Sequence, residues 1–471
     1  MKSLVVCLLA CCSLLAAAQQ PVPESDAQRA AEIQQLKLEL QKISARLDEL
    51  EQQQARENAT HQQAIQPAAQ STAQQPNEPV PTPTPAVAQA PAPAPAVPAL
   101  SAEDHATLTF LRGTTLNFGF DSYYEYNFNQ PIGRVNQLRA YDITSNSFSI
   151  NQATIMVEHL PQPAPHQRFG GRIDLQFGQA TETLQGSPAN EIRPQVWQNL
   201  FQAYGSYLAP VGSGLQFDFG KWASALGVEG NYTKDQINYS RSFLFNYLPY
   251  YHMGLRANYN VTPRINVAYW LVNGVQQTED FNGFKSQAFI FTLKPASSLT
   301  WNVNYYFGEE QRDVVANANG TLPTQNITPV PNGREQIFDT YATWTPTAHL
   351  TLVGEADFVI NRVYSNSQPQ HVAAGAFYIK YALPHNYNLA ARTEYFDDRN
   401  GLFTNVSQAL NEFTITLNHQ IEPGFLAFAE YRRDGSNQPF FLTSVPNNLV
   451  HAQPTATLGL VFWWGQKQGN W

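Results

Sequence analysis

From about residue 107 to the end of the chain, apolar and polar side chains alternate with a period of two. In "LNFGFDSYYEYNF" (116–128), Leu116, Phe118, Phe120, Tyr124, Tyr126 and Phe128 share one face. Asn117, Gly119, Asp121, Glu125 and Asn127 share the other. "RFGGRIDLQFGQ" (168–179), "LTWNVNYYF" (299–307) and "FTITLNHQI" (413–421) repeat the scheme. Successive side chains of a strand point to opposite faces, so this pattern describes strands with one apolar face.

The connections between these stretches sort by length. Seven are short and proline-bearing: 161–167, 209–214, 260–263, 294–298, 345–349, 383–386 and 421–424. Eight are longer and polar, near 130–146, 179–195, 222–248, 274–283, 308–334, 361–371, 397–410 and 434–454. Long and short alternate without a break, which joins about 16 strands. Transmembrane β-barrels have short turns at one end, long loops at the other and an even strand count. Lipid offers no hydrogen bonds, so such a sheet must close on itself. A soluble sandwich has no reason to sort loop lengths, and a propeller would repeat a blade motif that is not seen here. The fold class expected is all-β, an antiparallel transmembrane β-barrel over 107–471.

Composition agrees. Aromatic residues make up 12% and charged residues only 14%, yet the mean hydropathy is −0.35. Strands with one apolar and one polar face combine those values. The net charge of −9 argues against a nucleic-acid partner, which requires a basic patch.

The residues before the barrel read as three pieces. Residues 1–18 resemble a secretory signal peptide: Lys2, the apolar "LVVCLLACCSLL", then Ala16-Ala17-Ala18. "LLAC" (8–11) is a weak alternative lipoprotein box. All three cysteines, Cys7, Cys11 and Cys12, lie in this piece. No apolar run long enough for a membrane helix follows it. Over 24–59, Ile33, Leu36, Leu40, Ile43, Leu47 and Leu50 are spaced by threes and fours, the stripe of a periplasmic coiled coil. A lone amphipathic helix is the alternative. Residues 60–106 form a Pro/Ala-rich linker, extended and without a core.

No nucleophile elbow, zinc-protease motif, phosphate loop or metal-spaced cysteine and histidine set occurs, so the expectation is no enzyme, cofactor or metal. A polar-lined barrel of this size supports passage of solutes. Parity assigns Asp121, Glu125, Arg172, Asp174, Asp218, Arg256, Asn302, Asn304, Glu355, Asp357, Lys380, Arg392 and Glu394 to the pore lining. For any one of them, a solvated wall residue without selective role is the plainer reading. Mixed signs disfavour strong selectivity, and the acidic excess leans toward cations.

The third long connection, 222–251, is too rich in aromatics and glycine for a plain surface loop. By position it matches the segment that narrows general porins, with Lys221, Glu229, Lys234, Asp235 and Arg241 as its charges. An external loop packed on its neighbours is the alternative. "GKWASALGVEGNY", "NYSRSFLFNYLPYYHMGLRANY", "YWLVNG" and the spacing of Asp280, Asn282 and Lys285 resemble the β-barrel porin-2 (OmpL-like) family over roughly 110–471. The resemblance implies an outer-membrane porin of a diderm bacterium, without a defined solute and without catalytic residues. The functional expectation is passive diffusion of small hydrophilic solutes. A sugar- or anion-selective porin and a barrel-anchored tether to the cell wall are the rivals. The partners expected are outer-membrane lipid, further copies of the chain (a trimer is one form) and the barrel-assembly machinery. Thr457, Gly459, Phe462 and Trp464 carry the assembly pattern on the closing strand, with Trp471 set apart by "GQKQGN".

Overall fold

The computed structural model describes residues 113–164, 167–185, 191–280, 282–315, 317, 323–467 and 469–471. The signal peptide, coiled coil and linker read from the sequence lie outside the described residues.

Sixteen antiparallel strands close into one barrel. The first eight are β1 (Thr114–Asn127), β2 (Ser147–His159), β3 (Phe169–Phe177), β4 (Leu200–Ala209), β5 (Leu215–Ala223), β6 (Tyr251–Thr262), β7 (Ile265–Val272) and β8 (Ser286–Ala296). Then follow β9 (Leu299–Gly308), β10 (Glu335–Trp344), β11 (Leu350–Asn361), β12 (Gln370–Ala382), β13 (Tyr387–Asp398), β14 (Gln408–Glu422) and β15 (Phe425–Ser436). A small hairpin, β16 (Phe441–Leu442) and β17 (Leu449–Val450), sits in the last long connection. β18 (Ala452–Gly465) closes the barrel between β15 and β1, in register from Asn117↔Gly465 to Asn127↔Thr455. Among the described residues, three short α-helices lie in the long connections: α1 (Gln179–Gln185), α2 (Pro194–Trp197) and α3 (Phe243–Tyr247).

Closure pairs every strand on both sides, as a lipid-embedded sheet requires. Among the described residues no helix is long and apolar enough to cross a membrane. The outward positions are apolar and exposed, including Phe148, Phe169, Phe219, Leu458 and Trp464. Aromatic contacts run along the closing seam: Phe118 stacks on Trp464 at 5.4 Å and Phe425 on Phe462 at 4.3 Å. Such belts suit the headgroup level, where one edge of a ring is apolar and the other wet.

The inward face departs from the expected polarity at the long-loop ends of β7 to β14. Val359, Val372, Phe396 and Leu410 point inward and are buried there. They pack with Phe243, Leu244 and Leu248 of the third long connection. An apolar core therefore lies inside the barrel. Alternation hides it, because both faces of those stretches are apolar.

Candidate functional site

The 224–250 connection folds into the lumen. Its backbone N–H groups need acceptors, and the wall supplies carboxylates. Gly227 N–H donates to Asp339 Oδ2 at 3.1 Å, and Val228 N–H to Glu355 Oε1 at 3.0 Å. Tyr239 and Ser240 N–H donate to the two oxygens of Glu430, at 2.7 and 3.0 Å. Phe243 and Leu244 N–H, the start of α3, donate to the two oxygens of Glu394, each at 2.8 Å. A carboxylate at a helix start satisfies donors that have no partner within the helix. Ser242 completes that start by accepting from Phe245 N–H at 2.9 Å.

Side chains of the segment reach the remaining walls. Asp121 on β1 accepts from Thr233 Oγ1 at 2.6 Å and Tyr239 Oη at 2.8 Å. Asp174 on β3 accepts from the Tyr232 hydroxyl. Asn238 Nδ2 donates to Thr416 Oγ1 on β14 at 2.7 Å. A register shift in β2 leaves Asn151 and Gln152 both buried. Such a bulge re-aims side chains. Asn151 then donates to Asp121 at 2.7 Å, and Gln152 to Asn231 at 2.8 Å. The bonds to the Asp121 and Asp174 carboxylates are charge-assisted and are the stronger ones here.

A buried network of alternating charge ties the segment to β13, β14 and β15. Arg392 bridges Glu229 at 2.8 Å and Glu412 at 3.1 Å. Arg432 lies 3.8 Å from Glu412 and 2.7 Å from Asp434. Arg139, in the first long connection, joins Asp434 at 3.0 Å and Asp142 at 2.5 Å. Burial alone would raise the Asp142 carboxyl, but Arg139 and Arg432 hold it below its ordinary value. Arg241 is enclosed by the segment itself. It donates to the carbonyls of Gly230, Tyr239 and Asn231 and lies 4.9 Å from the Tyr141 ring.

The final residues also enter the lumen. Lys467 bonds Glu158 at 2.7 Å. Trp471 N–H donates to Asp235 at 3.0 Å, and its ring meets Tyr232 at 5.6 Å. Lys234 donates to Asp235 and to the Gly469 carbonyl, both at 2.7 Å, and lies 4.8 Å from the Trp471 ring. Burial pulls the Lys234 ammonium below its ordinary value.

The positions read from the sequence as pore lining all stand at inward sites, but they fall into distinct environments. Asp121, Asp174, Glu355, Arg392 and Glu394 are covered by the segment. Glu125 accepts from Thr457 Oγ1 at 2.6 Å. Arg172 pairs with Asp174 and Glu158 at 2.8 and 3.2 Å. Asp218 pairs with Arg256 at 2.7 Å, and Asn304 donates to Asp339 at 2.7 Å. Asp357 is buried. Arg256, Asn302 and Lys380 are half-buried. Asn258 and Asn266, bonded to each other at 2.6 Å, are half-buried inward residues of β6 and β7 as well. Of the segment's expected charges, Glu229, Lys234, Asp235 and Arg241 lie in it. Lys221 does not: it is a β5 residue, 3.9 Å from the Tyr251 ring. At Gly459 a Cβ would overlap the Tyr239 ring, so glycine lets that ring lie flat on the wall.

Sequence reasoning missed Arg139, Asp142, Asp339, Glu412, Glu430, Arg432 and Asp434. In "FLAFAEYRRDG" (425–435) the outward positions include Ala427 and Ala429, while Phe428 points inward and is buried. That inversion blurs the parity which would have revealed Glu430, Arg432 and Asp434.

The family described as "Putative beta-barrel porin-2, OmpL-like" matches residues 115–463. No curated protein matches the chain. Similar solved structures include the outer-membrane channel DcaP of Acinetobacter baumannii, 10% identical, covering 74% of this chain and 97% of that one, TM-score 0.49. An anion-selective porin from Comamonas acidovorans is 7% identical over 74% and 99%, TM-score 0.47. OmpT of Vibrio cholerae is 10% identical over 74% and 97%, TM-score 0.46. At these identities and scores the likenesses say nothing about a solute.

Proposed function

The chain belongs to the β-barrel porin-2 (OmpL-like) family, and from that premise we propose a passive outer-membrane channel for small hydrophilic solutes, narrowed by the 224–250 segment. The observation that carries this reading is the anchoring of that segment by wall groups on β1, β3, β10, β11, β13, β14 and β15. A segment fixed all round the lumen sets the bore. Solutes pass the half-buried polar wall residues Arg256, Asn258, Asn266, Asn302 and Lys380. Most charges beside the segment are paired, which supports weak selectivity. The acidic excess among the inward-facing charges leans it weakly toward cations. Purified barrel in a planar bilayer is expected to give small ohmic steps with a mild cation preference. Folded barrel without conductance would overturn the reading.

Self-association is supported by an outward groove of about 560 Å³ beside the closing seam. Small Ser122, Ala427 and Ala429 contribute to its lining, among larger Tyr124, Phe148, Leu417, Leu458 and Leu460. Close approach of a second copy is easiest over small residues. Cross-linking in native membranes tests this, and monomer alone would contradict it.

A further inference from the structure

We propose that Asp339, Glu355 and Asp357 bind a hard divalent cation of the Ca²⁺ class, which staples the infolded segment to the β10–β11 wall. The three side chains offer carboxylate oxygens that all lie within 4.8 Å of one another. They are 2%, 6% and 5% exposed. Asp339 and Asp357 face each other directly across the β10–β11 ladder. Like charges directly opposite destabilise a sheet.

Arginines stand beside the buried carboxylates of Asp174, Glu412 and Asp434. Here no lysine or arginine forms an ion pair with Asp339, Glu355 or Asp357, among the described residues. Asp357 meets no N–H or hydroxyl donor, and neither does Asp339 Oδ1; the Asp357 carboxyl lies against that of Asp339. A buried charge without a counter-charge is costly. A separate observation marks the same place. Asn304 is 2% exposed and fixed to Asp339 through its Nδ2, while its own Oδ1 is unpartnered. Asn304 stands directly opposite Asp339 on β9, and its Nδ2 also donates to the Ala225 carbonyl of the segment at 3.2 Å, which leaves a buried amide oxygen without a donor at the edge of the acidic cluster.

All the groups offered are oxygens. Zinc prefers nitrogen and sulfur, whereas calcium takes carboxylate and amide oxygens in flexible geometry. Asp339 and Glu355 also accept the N–H groups of Gly227 and Val228. A cation on their other lone pairs would therefore tie wall and segment together.

The test is calorimetric titration of Ca²⁺ alone into folded, EDTA-stripped, lipopolysaccharide-free barrel in detergent. Conductance is not read, so this proposal and the channel reading fail separately. One Ca²⁺ per barrel is expected, weakened at least about tenfold in Asp357→Asn and unchanged in Asp218→Asn. No binding at millimolar Ca²⁺, or equal binding by Asp357→Asn, would overturn the site. If Asp357→Asn does not fold, Asp339→Asn is read the same way. If neither folds, a Ca²⁺-induced rise in the wild-type melting temperature supports the site, and an unchanged value overturns it.

Discussion

Arg392 on β13 and Glu229 in the infolded segment meet at 2.8 Å, with side chains 0% and 6% exposed. The pair joins the barrel wall to the infolded segment at a point closed to water. Arg392 also serves Glu412 and the Ser240 carbonyl. Its loss would take the nearest cation from two buried carboxylates, leaving Glu229 with the Ser242 N–H and Glu412 with Arg432 at 3.8 Å. Breaking one partner of a buried pair costs about 3–5 kcal/mol. Arg392→Ala is therefore expected to lower the melting temperature and give larger, noisier conductance steps. Wild-type stability and steps in this variant would show that the network does not hold the segment.

Acid should loosen the same network. The Asp142 carboxyl is held below its ordinary value of about 4. A depressed acid contributes stability above its unfolded value, and that contribution is lost as pH falls through the folded one. Asp142→Asn should melt below wild type at pH 7, with the gap closing below about pH 4. A gap independent of pH would contradict this assignment.

The placement of the segment can be trapped chemically. Asn238 and Thr416 are joined by a 2.7 Å bond across the lumen. Asn238→Cys with Thr416→Cys should form a disulfide in the folded barrel, seen as a mobility shift reversed by reductant. An external loop would leave both thiols free to label.

The chain's last residues separate assembly from closure. Trp464 faces outward on β18, stacked on Phe118, whereas Trp471 sits in the lumen against Tyr232. Trp464→Ala should reduce the yield of folded barrel more than deletion of 466–471. The deletion should instead raise conductance by clearing the short-turn end. Equal or reversed losses of folded barrel would make Trp471 the assembly signal.

Strand number and loop placement were legible because lipid imposes two regularities on sequence, alternation and sorted connection lengths. The eight long connections were located to within a few residues. The segment's path was not legible, since its partners are scattered over seven strands and no local pattern encodes such contacts. Asp339 illustrates the limit. Ile337 and Tyr341 on its own face are apolar or aromatic, so "QIFDTYATW" (336–344) shows no clean alternation. The tail's entry into the lumen left no trace in "GQKQGN", which reads as a polar end.

The most direct test of the account is single-channel conductance of wild-type barrel against a barrel in which residues 226–247 are replaced by a short Gly-Ser link. The constriction account predicts small ohmic steps for wild type and clearly larger ones for the replacement, in folded barrels that run alike. Equal step sizes would contradict it, because the segment would then lie off the conducting path.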